Sequence, residues 1–151
     1  MNRNELLKIG ERIAPFTLPV DRSRETLLSS DIIGKRRTML LVAGDDLPPV
    51  TDWLRTAREQ ATALEERDVT VLVLVPDPEA APALTDLPAP TFQVLRDAYH
   101  EEEKRLGGAP AFYLVGKDGT IKRAERDFPP LEDLIQLIDS MPMRQQEMRE
   151  S

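Results

Sequence analysis

The 151-residue chain contains no cysteine. That absence excludes thiol redox catalysis, disulfides and cysteine-ligated zinc. Histidine is almost as scarce: His100 is the only one. It lies in YHEEEK among charged neighbours and reads as a solvated surface residue, as do Glu101, Glu102 and Glu103 beside Lys104 and Arg105. No GxxxxGK[ST] phosphate loop, GxGxxG, HExxH or GxSxG occurs, which leaves no support for a nucleotide, zinc-protease or hydrolase reading. No segment approaches the roughly 18 consecutive apolar residues of a membrane span, and MNRNELLKIGERIAP lacks the apolar core of a secretory signal. The default expectation is therefore a soluble cytoplasmic protein with no membrane contact. Basic residues are not clustered either. The 20 Lys+Arg are interleaved with 27 Asp+Glu for a net charge of −7, which argues against a nucleic-acid surface.

The chain is long enough for one domain that buries about 68–70% of the surface exposed when unfolded. Residues 38–43, TMLLVA, read as a short buried strand, and 51–66 switches to helical spacing. There Trp53, Leu54, Ala57, Ala61 and Leu64 share a face, with Thr51 or Asp52 able to cap the start. VTVLVLV at 69–75 suits a central strand covered on both faces. The segment 76–90, with five prolines, reads as a surface excursion. FQVL at 92–95 is a strand, and 97–108 a helix capped by Asp97 and ended by glycine. AFYLV (111–115) and TIKRA (120–124) form a hairpin across an Asp-Gly turn. A last helix starts at Pro129 or Pro130, with Leu131, Leu134, Ile135, Leu137, Ile138 and Met141 on its apolar side. The order β-α-β, excursion, β-α-β-β-α predicts an α/β, thioredoxin-like fold: a central mixed sheet flanked by helices on both faces. The domain is expected over residues 1–141, with 142–151 as a C-terminal tail.

Three stretches carry a family resemblance. IGERIAPFTL (9–18), LSSDIIGKRRTMLLVA (28–43) and FQVLRDAYHEEEKRLGGAPAFYLVGKDGTIKR (92–123) resemble, in order, segments of the alkyl hydroperoxide reductase and thiol-specific antioxidant family, the peroxiredoxins. Together they span roughly residues 9–140. That family keeps Pro-x-x-x-Thr/Ser-x-x-Cys at the junction between its first core strand and the following helix. Laid on GDDLPPVTDW (44–53), the pattern puts the proline at Ala43, the hydroxyl residue at Leu47 and the peroxide-reducing cysteine at Val50. All three are replaced, while Asp45, Asp46, Pro48 and Thr51 keep the style of the loop. The family's active-site arginine has no counterpart in GGAP before strand 111–115, and Arg105 lies on the preceding helix. The resemblance further implies a cis proline at Ala109-Pro110, facing the nucleophile loop, where its neighbour's backbone can pair with an extended peptide. At the C-terminus, IDSMPMRQQEM (138–148) is similar to the end of a poorly characterised thioredoxin-like family.

These residues predict a redox-inactive, non-catalytic protein acting as a binding or accessory module, with no cofactor and no bound metal. Its candidate face comprises Asp45, Asp46, Leu47, Pro48, Pro49, Val50, Thr51, Ala109 and Pro110, and its partner would be a protein or peptide. Val50 is expected as the first turn of a helix, and Trp53 as core or rim packing. Two alternatives stay open. Asp45 or Asp46 could support carboxylate or metal chemistry at the same cleft, although adjacent aspartates more often cap and turn. Alternatively Met141, Met143 and Met148 could dock on another chain in a structural role, a homodimer included.

Overall fold

A computed structural model describes residues 5–15, 17–19, 26–44, 48–74, 91–94 and 103–150. Among these residues the elements run in the order β1 (Thr17–Pro19), β2 (Thr26–Leu28), α1 (Ser29–Ile32), β3 (Arg37–Val42), α2 (Pro48–Glu59), α3 (Ala61–Glu66), β4 (Val69–Leu74), β5 (Thr91–Val94), β6 (Ala111–Val115), β7 (Ile121–Glu125), α4 (Leu131–Asp139) and α5 (Pro142–Glu150). β1 and β2 pair antiparallel as a separate ribbon, and the main sheet has the order β5-β4-β3-β6-β7. β3, β4 and β5 are parallel, whereas β6 runs antiparallel to β3 and β7 to β6. This is the mixed sheet that the element order predicts.

Every residue of β3, β4 and β6 is buried, as expected of strands covered on both faces. Alternation sorts them into two cores. Met39, Leu41, Val71, Val73, Phe112 and Leu114 meet α2, α3 and α4 through Val50, Trp53, Leu54, Leu64, Leu134 and Ile138. Leu40, Val42, Leu72, Leu74, Tyr113 and Val115 face the other way, against Leu7, Ile13, Ile32 of α1 and Leu106. Tyr113 ties this second layer together, because its hydroxyl accepts from the Leu7 N–H (3.1 Å) and donates to the Leu106 carbonyl.

Several boundaries differ from the sequence reading. The first long helix begins at Pro48, not at Thr51, because proline fits the opening turn, where no intrahelical donor is needed. It is also two helices, interrupted at Gln60, whose φ/ψ of −107°/23° leave the helical region. Of the helix expected at 97–108, the described part is a single turn at 103–105, and the 76–90 excursion and His100 lie outside the described residues. The hairpin turn is as expected, with Gly119 at φ +81°.

The stretch expected as a tail is the helix α5, none of whose residues is buried. Nine residues are too few for an isolated helix to persist in water. Ion pairs hold it instead. Glu147 accepts from both terminal nitrogens of Arg37 (3.2 and 3.3 Å) and from Lys117 Nζ (2.6 Å), which also reaches Asp68 (2.8 Å). Arg144 pairs with Asp139 (3.3 Å), which forms a two-pronged pair with Arg67 (both 2.9 Å). The Arg67 pair, opposed by burial and helped by Arg144, holds the Asp139 carboxyl below its ordinary range. Burial pushes Glu147 up, but its bonds to Lys117 and Arg37 prevail and lower it. Asp118, in the β6–β7 turn, is likewise raised by burial yet brought down to about 2 by Lys122 and by the N–H and hydroxyl of Thr120.

Candidate functional site

Strand β3 delivers the chain to the junction at 43–50. At Ala43 the backbone N–H donates to the Leu74 carbonyl (2.8 Å), extending the β3–β4 pairing one residue past the strand. A proline in this place could not make that bond. Ala43 is fully buried, and so is Val50, the third residue of α2. The Val50 side chain belongs to the core that includes Trp53 and Phe112. Trp53 is held in turn: its Nε1 donates to the Pro129 carbonyl (2.9 Å), and its ring lies 5.9 Å from that of Phe112 at 51°. Both residues are core, and neither presents a reactive or stacking surface.

The helix start has fewer free donors than usual. A helix N-terminus holds negative charge through its free N–H groups. Pro48 and Pro49 are the first two residues of α2 and have none. The Thr51 hydroxyl donates back to the Pro48 carbonyl (3.0 Å), so it neither caps the helix nor faces a ligand. Asp52 is exposed and paired with Arg55 (3.3 Å). Of the remaining positions, Asp45, Asp46 and Leu47 lie outside the described residues.

Across the junction, the Ala109–Pro110 peptide bond is cis, as the resemblance implies. A Cβ placed on Gly44 would stand 3.9 Å from the Cδ and N of Pro110, so the end of β3 and the proline loop are neighbours. Pro48, Pro49 and Pro110 are exposed, while Thr51 and Ala109 are half-buried. The sequence reading missed Arg126. Its guanidinium donates to the carbonyls of Gly107 (2.8 Å), Gly108 (3.2 Å) and Pro110 (3.2 Å), fixing the loop from the end of β7. Ala109 is passed over. Nothing in the local sequence marks this arginine, because the contact spans 16 to 19 residues and depends on the hairpin. Arg105, the arginine nearest the family's position, is used elsewhere and donates to the Pro15 carbonyl (3.1 Å).

Among the described residues, no group of three or more His, Asp or Glu side chains is arranged to hold a metal ion. Nor is any described helix long and apolar enough to cross a membrane.

This strand order, with the end of β3 beside a cis proline, is a thioredoxin-like fold, here without a cysteine. Solved peroxiredoxins superpose on most of it. The reduced 2-Cys peroxiredoxin of Plasmodium vivax matches with a TM-score of 0.69 at 13% identity, covering 91% of this chain and 83% of its own. Mycobacterium tuberculosis AhpC matches at 0.68 and 17% identity, covering 90% and 93%. A cysteine-to-serine mutant of Xylella fastidiosa PrxQ matches at 0.69 and 15% identity, covering 90% and 98%. At such identities the likeness shows the fold alone. By sequence, residues 29–147 match the family described as a domain of unknown function, DUF4174, and the chain belongs to that family. No curated protein sequence matches it significantly.

Proposed function

We propose that this chain is a non-catalytic, cytoplasmic binding module that uses the face where peroxiredoxins carry their thiol. The observation that carries this reading is the complete burial of Val50, on which the resemblance lays the nucleophile, directly after the exposed Pro48 and Pro49. The interior of the old site has become core, and its outer edge has not.

Pro48, Pro49 and Pro110 give that rim little conformational freedom, so docking against it costs little ordering entropy. Ala109 is a backbone position beside the rim whose carbonyl the Arg126 clamp does not engage. An extended peptide, or the loop of a partner protein, laid along it would gain main-chain hydrogen bonds there and side-chain contacts on the prolines. By sequence the proposal also takes in Asp45, Asp46 and Leu47, which lie outside the described residues. At the positions that the resemblance assigns to the family's proline and cysteine, Ala43 and Val50 supply neither a nucleophile nor a proton acceptor.

The test is binding of a randomised pool of extended peptides, followed by fluorescence anisotropy, to the native chain and to Pro48→Trp. Because Pro48 is exposed, this substitution should leave stability within about 0.5 kcal/mol. The expected result is loss of binding with an unchanged unfolding midpoint. Undiminished binding by the variant, or no binding by the native chain, would refute the assignment.

A further inference from the structure

The helix α5 lies at the opposite end of β3 from the junction at 43–50, where it reaches Arg37, the first residue of that strand. Its link to α4 is short and abrupt. Pro142 has no N–H with which to continue the ladder of α4, so the chain turns at Ser140 and Met141 and starts a new helix. The Met141 N–H closes α4 on the Ile138 carbonyl (3.0 Å), and the Met141 carbonyl opens α5 by accepting from the Gln145 N–H (2.9 Å).

Packing does little to hold α5 down. None of its residues is buried, and a cavity of about 460 Å³ lies at its first turn, lined by Ile9, Leu137, Met141 and Met143 among others. A helix seated on a close-packed core leaves no such space. Charge fixes it instead, through two residues one turn apart. Glu147 accepts from Arg37 and Lys117, while Arg144 donates to Asp139 (3.3 Å) and to the Glu66 carbonyl (3.1 Å). The unusual MPMRQQE run is thereby accounted for: Met141 and Pro142 make the turn, and Arg144 and Glu147 make the fastening.

The fastening is costly as well as strong. Arg37 is only 1% exposed, and its Nε–H is buried without an acceptor. Releasing the guanidinium to water recovers its hydration, which offsets the ion pairs that are lost. Opening is therefore cheaper than the short distances alone suggest.

We infer that α5 is a hinged strap, which swings on residues 140–142, is latched by Arg144 and Glu147, and opens as a unit while the sheet stays folded. Nine residues freed from the body do not hold a helix, so the open strap is unprotected chain. Opening uncovers Arg37 and turns the cavity into a groove along Leu137 and Met141. The strap is independent of the proline rim.

The test is amide hydrogen exchange of the full chain, followed by NMR with and without sub-denaturing urea, and repeated on Glu147→Gln and Met143→Ala. In the native chain residues 145–150 should exchange as one set, at least a hundred-fold faster than β3, β4 and β6, with rates that respond little to urea. Glu147→Gln removes the latching charge with almost no change of shape. It should speed the set at least ten-fold and leave the Trp53 emission native. Met143→Ala removes apolar contact from the same helix and should leave those rates within three-fold. The inference is overturned if residues 145–150 share the rates and urea slopes of the strands, because the helix would then open only by global unfolding. It is also overturned if Met143→Ala speeds the set as much as Glu147→Gln does, or if Glu147→Gln leaves it unchanged. The native-chain comparison decides the matter even if Glu147→Gln does not fold.

Discussion

Val50→Ala measures how tightly the start of α2 is packed into the core. Val50 is fully buried and packs with Trp53, Leu54 and Phe112. Truncation removes two carbon atoms from that cluster, a transfer loss of about 1.6 kcal/mol at ~0.8 per methyl(ene) group. A residual void on the order of 40 Å³ adds about 1 kcal/mol at ~24 cal/mol per Å³. Alanine is the better helix former by about 0.5 kcal/mol, which offsets part of this. The net expectation is about 2 kcal/mol, or a fall in Tm of about 4–8 °C for a chain of this size. Urea unfolding monitored by Trp53 fluorescence reads it directly. Glu59→Ala, at an exposed position of the same helix, is the control and should stay within about 0.5 kcal/mol. A Val50→Ala cost no larger than that control would mean that the position is not packed, and the reasoning would fail.

Three further outcomes are expected. Val50→Cys should create a thiol with a pKa at or above the ordinary value of about 8.5, since burial opposes the thiolate and Pro48 and Pro49 offer it no N–H. Rapid alkylation near pH 6 would contradict this. Stability should fall in acid. Asp118, Asp139 and Glu147 all have lowered folded-state pKa values, so their contribution is complete above the unfolded carboxyl range near ~4 and is lost as pH drops through the folded values, down to about 2 for Asp118. The Asp139→Asn, Glu147→Gln double variant should be less stable at pH 7 and flatter between pH 5 and 2, and an unchanged slope would refute the pairing. Gly107→Ala should destabilise by more than ~2 kcal/mol in thermal unfolding, because its φ is +89° and a Cβ there would meet the Glu5 carbonyl oxygen at 2.3 Å. A neutral result would displace the N-terminal segment from this loop.

The parts of the molecule governed by local pattern were legible in the sequence. The apolar runs that became β3, β4 and β6, the apolar stripe of α4 and the Asp-Gly turn announce themselves through periodicity and turn chemistry. So did the exclusion of thiol chemistry, which needs only the absence of cysteine. What escaped depends on distant partners. α5 has too weak an apolar face to be recognised, and its place is set by Arg37, a charged residue at the start of an otherwise apolar strand. The start of α2 was read three residues late because Thr51 looks like a cap, whereas its hydroxyl bonds back to the Pro48 carbonyl. Arg126 reaches the cis-proline loop only once β6 and β7 have paired.

The central claim is that recognition has replaced redox chemistry on this face. It is tested most directly by amide chemical-shift mapping of the isotope-labelled chain during titration with the extended-peptide pool. The account predicts shifts concentrated at residues 43–51 and 107–110, with the opposite end of β3 unchanged. Shifts absent from those two segments, or centred elsewhere, would contradict it.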